Sequence, residues 1–182
     1  ARNRYGDTAL MLCATLNDVK CMGWLIAKGA QVNSKNMHGW SPLSRGARFG
    51  HLQALKILVK NGAEIDIRLN DGATPLIISA GEQHSGVVRF LLENGADPNA
   101  KNLEGTTAIL LAALTGRADI IRDLVLRGAD PMTRNSFGDP LLFLVVERDF
   151  VDGVRALLKL GVHVEVRSPK GWTALMRAAK YG

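Results

Sequence analysis

Glycine recurs at a spacing that leaves little choice of fold. Gly6, Gly39, Gly72, Gly105, Gly138 and Gly171 stand 33 residues apart without a slip, and Gly29, Gly62, Gly95, Gly128 and Gly161 keep the same interval. A fixed period of this length marks an internal repeat, whose single unit cannot bury its apolar face and must stack on its neighbours. The 182 residues therefore read as one domain of repeats 1–33, 34–66, 67–99, 100–132 and 133–165 with a partial 166–182. The first unit begins inside its loop and the last stops before its second helix. The chain is accordingly expected to be a piece of a longer protein.

Within each period the residues spell turn, helix, helix, loop. A hydroxyl and a short apolar run follow the first glycine: Thr8-Ala9-Leu10, Ser41-Pro42-Leu43, Thr74-Pro75-Leu76, Thr107-Ala108-Ile109 and Thr173-Ala174-Leu175. Ser or Thr there can cap a helix, and Pro at the first helical position gives up no needed hydrogen bond. A small pair comes next: Cys13-Ala14, Gly46-Ala47, Ser79-Ala80, Ala112-Ala113 and Ala178-Ala179. Small side chains let neighbouring helices approach closely. The second helix carries the aliphatic pairs Leu25-Ile26, Leu58-Val59, Leu91-Leu92, Leu124-Val125 and Leu157-Leu158. The glycine after each pair ends the helix in the left-handed conformation that C-termini favour.

These features resemble the ankyrin-repeat family over essentially the whole chain. The third unit carries the likeness best, from Asp71-Gly72-Ala73-Thr74-Pro75-Leu76 to Leu91-Leu92-Glu93-Asn94-Gly95-Ala96-Asp97-Pro98-Asn99. The resemblance implies an all-α solenoid of stacked antiparallel helix pairs, with β-hairpin loops projecting and a concave groove between hairpins and inner helices. Two departures bear on stability. The His that usually follows the Thr-Pro-Leu core is replaced by Met11, Ser44, Ile77, Leu110, Phe143 and Met176, which predicts less than consensus stability. The fifth unit lacks the capping Thr at Asp139-Pro140-Leu141, places Val145-Val146 at the small pair and ends on Val162-His163. Two β-branched residues at a close helix contact predict a kink or an irregular junction there.

Chemistry is hard to find. Gly81 and Gly86 have phosphate-loop spacing, but Val87 stands where the essential Lys would be. No nucleophile, base or metal set assembles, so the expectation is a non-enzyme without cofactor or small-molecule substrate. His51 and His84 read as helix-start residues. Cys13 and Cys21 read as buried reduced thiols, and with the absence of an Asn-x-Ser/Thr acceptor they favour an intracellular setting, cytoplasmic or nuclear. No apolar run approaches the length of about 18 residues that a membrane span needs.

The net charge of +6 is uneven: residues 1–66 hold nine Lys or Arg against four Asp or Glu, and residues 166–182 hold four against none. Two basic columns recur every 33 residues, Arg2, Lys35, Arg68, Lys101, Arg134 and Arg167 in the hairpins and Lys56, Arg89, Arg122 and Arg155 on the outer helices. A solvated position usual for the family is the plain account of them; an acidic lipid or nucleic acid is the rival. Asn33 and Asn99 fall where the resemblance implies an asparagine open to hydroxylation, and Asn99 fits that pattern better.

A partner is expected at the hairpin tips and inner-helix ends. Tyr5, His38, Trp40, Arg48 and Phe49, from two adjoining units, are predicted to converge on one patch. Phe137, Trp172 and Tyr181 make a second group, with the acidic Asp71, Glu82 and Glu104 between. Trp, Tyr and Arg most often dominate binding energy. Arg45 and Arg177 interrupt the column of Leu12, Ile78, Leu111 and Leu144, either lying along the groove edge or reaching an acidic partner. The function that follows is a monomeric scaffold binding another protein. A regulatory segment docking on domains of its own chain is the alternative.

Overall fold

A computed structural model describes residues 2–181, with the side chain of Tyr181 outside the described residues. Helices dominate them. Pairs run α1 (Ala9–Thr15) and α2 (Val19–Ala27), α3 (Pro42–Arg48) and α4 (Leu52–Lys60), then α5 (Pro75–Gly81) and α6 (Ser85–Glu93). They continue as α7 (Ala108–Leu114) and α8 (Ala118–Leu126), α9 (Leu141–Glu147) and α10 (Val151–Lys159), with α11 (Ala174–Tyr181) last. The chain forms two compact units, Ala1–Asp97 and Pro98–Gly182. In the first, α1, α3 and α5 pack side by side as an inner row and α2, α4 and α6 as an outer one. In the second, α7, α9 and α11 form the inner row, and α8 packs on α10. The fold is the all-α repeat architecture expected, with the hairpins reduced to single bridges at Arg2 with Thr8, Arg134 with Pro140 and Arg167 with Thr173. No helix among the described residues is long and apolar enough to cross a membrane.

Inner helices of seven residues are too short to persist alone, so caps and packing hold them. Thr8, Ser41, Thr74 and Thr107 sit in extended backbone and accept from the N–H three residues on. The column that lacks His restores part of the cap by other means. The Ser44 hydroxyl accepts from the Ser41 N–H at 2.8 Å, and the Met11 sulfur accepts from the Thr8 N–H at 3.4 Å. Phe143 takes the same column as pure packing and is fully buried.

In the fifth unit α9 and α10 keep the seven- and nine-residue lengths of the other pairs, while α9 starts from Pro140 without a side-chain cap. The Val145 column faces a second column, eight residues downstream on the outer helix. Val145 faces Gly153, where an added Cβ would stand 3.0 Å from the Val145 Cγ1. A Cβ added at Gly46 would stand 2.7 Å from the Leu55 Cδ1 and 3.7 Å from the Ala54 Cβ. The same two columns hold Ser79 with Val87 and Ala112 with Ile120. In the third, fourth and fifth repeats a larger residue on one helix thus meets a smaller one on the other, as close packing requires. In the first unit the two columns meet as Cys13 and Cys21, which are joined as a disulfide. That corrects the expectation of two reduced thiols and removes the support they lent to an intracellular setting.

Loops between repeats are fastened by asparagine. Asn33 donates its Nδ2 to the Gly62 carbonyl at 2.9 Å and accepts from the Glu64 N–H at 2.9 Å. Asn99 does the same with Gly128 and Asp130, at 2.8 and 2.9 Å. Asp66 occupies this column in between. Its Oδ2 accepts from the Asp97 N–H at 3.0 Å, but its buried Oδ1 has no partner among the described residues. A carboxylate lacks the N–H that asparagine donates here. Asp66→Asn is therefore expected to stabilise the first unit by about 1 kcal/mol, read as a raised urea midpoint at unchanged slope. An unchanged or lowered midpoint would count against this account.

Candidate functional site

Asparagine also shapes the hairpin tips. Oδ1 of Asn36 accepts from the N–H groups of His38 and Trp40, both at 2.9 Å. Asn3 does so for Tyr5 and Asp7, Asn102 for Glu104 and Thr106, and Asn135 for Phe137 and Asp139. These side chains imitate a backbone turn and so fix the candidate binding residues in place. This column was visible in the sequence, at Asn3, Asn36, Asn102 and Asn135, but its role was not.

In the first unit Trp40 is the centre of a cluster. The guanidinium carbons of Arg45 and Arg48 lie 5.0 and 5.3 Å from its ring centroid. Arg48 also lies 6.0 Å from the Phe49 ring centroid and 3.7 Å from Glu82. Both partners in that ion pair are about half exposed, so it contributes little and can exchange. Phe49 stacks on His51 at 6.0 Å and stays 44% exposed. Tyr5 keeps a separate pairing, under Arg4 at 4.6 Å, and the exposed His38 contributes its backbone to the turn. Asp71 accepts from the Ala73 N–H at its own turn. The expected patch is therefore a core of Trp40, Arg45, Arg48 and Phe49, with Glu82 on it, His38 on the Trp40 hairpin and Tyr5 on the preceding one.

Arg45 finds an acid within the chain. It meets Asp7 of the preceding repeat at 3.2 Å. Asp7 is 7% exposed and also accepts from Asn36 Nδ2 at 2.6 Å and Asn3 Nδ2 at 3.2 Å. Burial alone pushes this carboxyl up, but the hydrogen bonds from Asn36 and Asn3 and the Arg45 charge outweigh it, leaving it below its ordinary range.

In the second unit Arg177 pairs with Glu147 and stands 4.0 Å from Asp139. Trp172 carries the Lys180 ammonium 5.0 Å from its ring centroid. Phe137 is 79% exposed at its hairpin tip. A groove of about 400 Å³ opens beside it, floored by Leu110, Leu114 and Leu144 and walled by Glu104, Phe137 and Arg177. The side chain of Tyr181, expected in this group, lies outside the described residues.

The other candidates resolve into structure. His51 and His84 precede α4 and α6, and each Nε2 lies at 2.9 or 3.0 Å from a carbonyl of the preceding repeat, Thr15 and Arg48 respectively. A carbonyl only accepts, so those nitrogens carry the proton. Hairpin arginines likewise bind backbone: Arg2 donates to the Gly6 and Lys35 carbonyls, Arg134 to those of Gly138 and Arg167. The outer column of Lys56, Arg89, Arg122 and Arg155 is exposed, with Arg155 at 3.6 Å from Asp152. No cluster of metal-ligating side chains occurs among the described residues.

A family model described as ankyrin repeats (3 copies) matches residues 1–69, 43–135 and 109–182. No curated protein matches the chain.

Proposed function

Because the chain belongs to the ankyrin-repeat family, whose repeats generally serve protein–protein interaction, we propose that it is a binding module that holds a partner protein against its hairpin tips and inner helices. The observation that carries this is the Trp40 cluster. Two guanidinium groups lie over one indole, and one of them also lies over the half-exposed Phe49 ring. Aromatic and arginine side chains are enriched among the residues that dominate binding energy, and an aromatic ring buries much area at little conformational cost. Asp7 and the Asn36 turn hold Arg45 and Trp40 in place before any partner arrives, which lowers the entropic cost of association. Recognition is by a fixed surface, with no reaction at any residue.

The hairpin arginines are occupied by backbone carbonyls, which favours a partner held by the aromatic cluster over one held by counter-charge alone. Affinity capture followed by mass spectrometry, on the wild type and a Tyr5→Ala, Trp40→Ala, Phe49→Ala variant at two salt concentrations, tests the reading. The expected result is a partner held by the wild type at high salt and lost by the variant, whose circular dichroism stays helical. Partners retained by the variant would sink the reading. Partners lost from the wild type by salt alone would point to an acidic polymer instead.

A further inference from the structure

Shifted by 132 residues, four periods of 33, the first unit's cluster falls on the second unit's cluster residue by residue. Tyr5 maps to Phe137, Asp7 to Asp139, Trp40 to Trp172, Arg45 to Arg177 and Arg48 to Lys180. Phe49 maps in sequence to Tyr181. The repeats between do not share the set: the Trp column reads Ala73, Thr106 and Asp139, and the Arg45 column reads Ile78, Leu111 and Leu144. The likeness is therefore not a property of the repeat itself, which would place these residues in every unit.

Part of the geometry recurs along with the residue types, although Arg45 lies over Trp40 where Arg177 lies over Phe143, at 5.8 Å, and pairs with Glu147. In each unit a hairpin aspartate faces the arginine of the next inner helix, Asp7 with Arg45 at 3.2 Å and Asp139 with Arg177 at 4.0 Å. In each, a second cation lies beside the indole one turn further on, Arg48 at 5.3 Å from Trp40 and Lys180 at 5.0 Å from Trp172. Each also has an exposed aromatic on the preceding hairpin, Tyr5 or Phe137.

Resting on the reading of the chain as a protein-binding module, we propose that the two units carry two copies of one recognition site. Each takes a short acidic peptide segment in which a carboxylate stands next to an aromatic or aliphatic side chain. Charge complementarity selects this ligand. Around the first cluster Arg4, Arg45 and Arg48 face Asp7 and Glu82, of which Asp7 is buried. Around the second, Lys170, Arg177 and Lys180 face Asp139 and Glu147, with Glu104 on the groove wall beside Phe137 and Lys170 exposed on the Trp172 hairpin. Both indoles also lie in the basic stretches, residues 1–66 and 166–182, and not in the acidic stretch between. A ligand carboxylate adds a charge-assisted hydrogen bond to the rim cation, Arg48 or Lys180. The neighbouring apolar side chain of the ligand covers the exposed aromatic.

The chain supplies its own control, because Trp24 is 65% exposed on α2 and belongs to neither cluster. Its three tryptophans give three indole N–H signals in a nitrogen-15 spectrum. The probe is a pool of nine-residue peptides alternating Asp or Glu with Phe, Tyr or Leu. The expected result is that the Trp40 and Trp172 signals move together and saturate, while Trp24 stays. Arg48→Gln should weaken the response of Trp40 alone by about tenfold, the worth of one charged hydrogen bond. Lys180→Gln should do the same to Trp172 alone, and otherwise unchanged spectra establish that both variants fold. Movement at Trp40 only would overturn the duplication and leave the first unit's binding role intact. No movement at either indole, equal movement at Trp24, or the same movement with a basic pool or a single-stranded oligonucleotide would overturn the acidic-peptide site. The protein-binding reading itself stands or falls separately, on the affinity capture.

Discussion

Asp7→Ala is expected to cost the first unit about 3 kcal/mol, at the lower end of what breaking a buried ion pair costs. Asp7 itself is 7% exposed, and the Arg45 side chain is 22% exposed, which lets water soften the loss of its partner. Removing the carboxylate also strands the Asn36 amide, whose residue is 8% exposed and whose Nδ2 donates to Asp7 at 2.6 Å. That amide belongs to the side chain that fixes the His38 and Trp40 turn, so binding by the Trp40 cluster should fall with stability. Urea unfolding followed by tryptophan fluorescence measures the first effect. A loss under about 1 kcal/mol, the level of an exposed pair, would show that Asp7 is not the anchor assigned to it.

The same carboxyl carries a pH dependence. Its folded pKa lies below the ordinary 3.8, so folding releases its proton more readily than the unfolded chain does. The stability it contributes is fully present above that ordinary value and is lost as pH falls through the folded one. Asp7→Asn should therefore flatten the fall in stability below about pH 4. Asp119 keeps its own acid-labile share, since Arg117 holds it low through hydrogen bonds of 2.9 and 2.7 Å.

Gly153→Ile should destabilise the second unit by about 3 kcal/mol, the upper end of overpacking costs. An isoleucine is what the same column carries at Ile120. Removing a glycine from a helix interior ordinarily stabilises by about 0.5–1 kcal/mol, so the sign of the effect is diagnostic. At Gly153 the first added carbon already meets Phe150 Cε1 at 2.5 Å and Val145 Cγ1 at 3.0 Å. Combining it with Val145→Ala and Phe150→Arg recreates the trio Ala112, Arg117 and Ile120 of the preceding repeat. That triple variant should recover most of the loss. A neutral single substitution, or a triple variant as unstable as the single one, would show that the two columns do not share one volume.

Fold was legible in the sequence because each repeat obeys local rules. Gly39 illustrates the tightest of them: φ is +81° and an added Cβ would stand 2.6 Å from the Asn70 amide nitrogen, so no other residue fits there. Caps at Thr8, Ser41, Thr74 and Thr107 need only the three residues that follow. Period, helix pairs and hairpin tips all follow from such rules, and so do Trp40, Arg48 and Phe49 as neighbours. What lay beyond reach was any property set by two residues a repeat apart or on facing helices. Sequence gave Val145 as a crowded contact, because the room for it lies at Gly153 on another helix. It left Arg45 without an assignment, because its acid lies 38 residues earlier at Asp7. Spacing and capping are decided along the chain, by backbone conformation and bonds between near neighbours. Packing volume and charge pairing are decided across it, and only the stacked repeats bring those partners within reach.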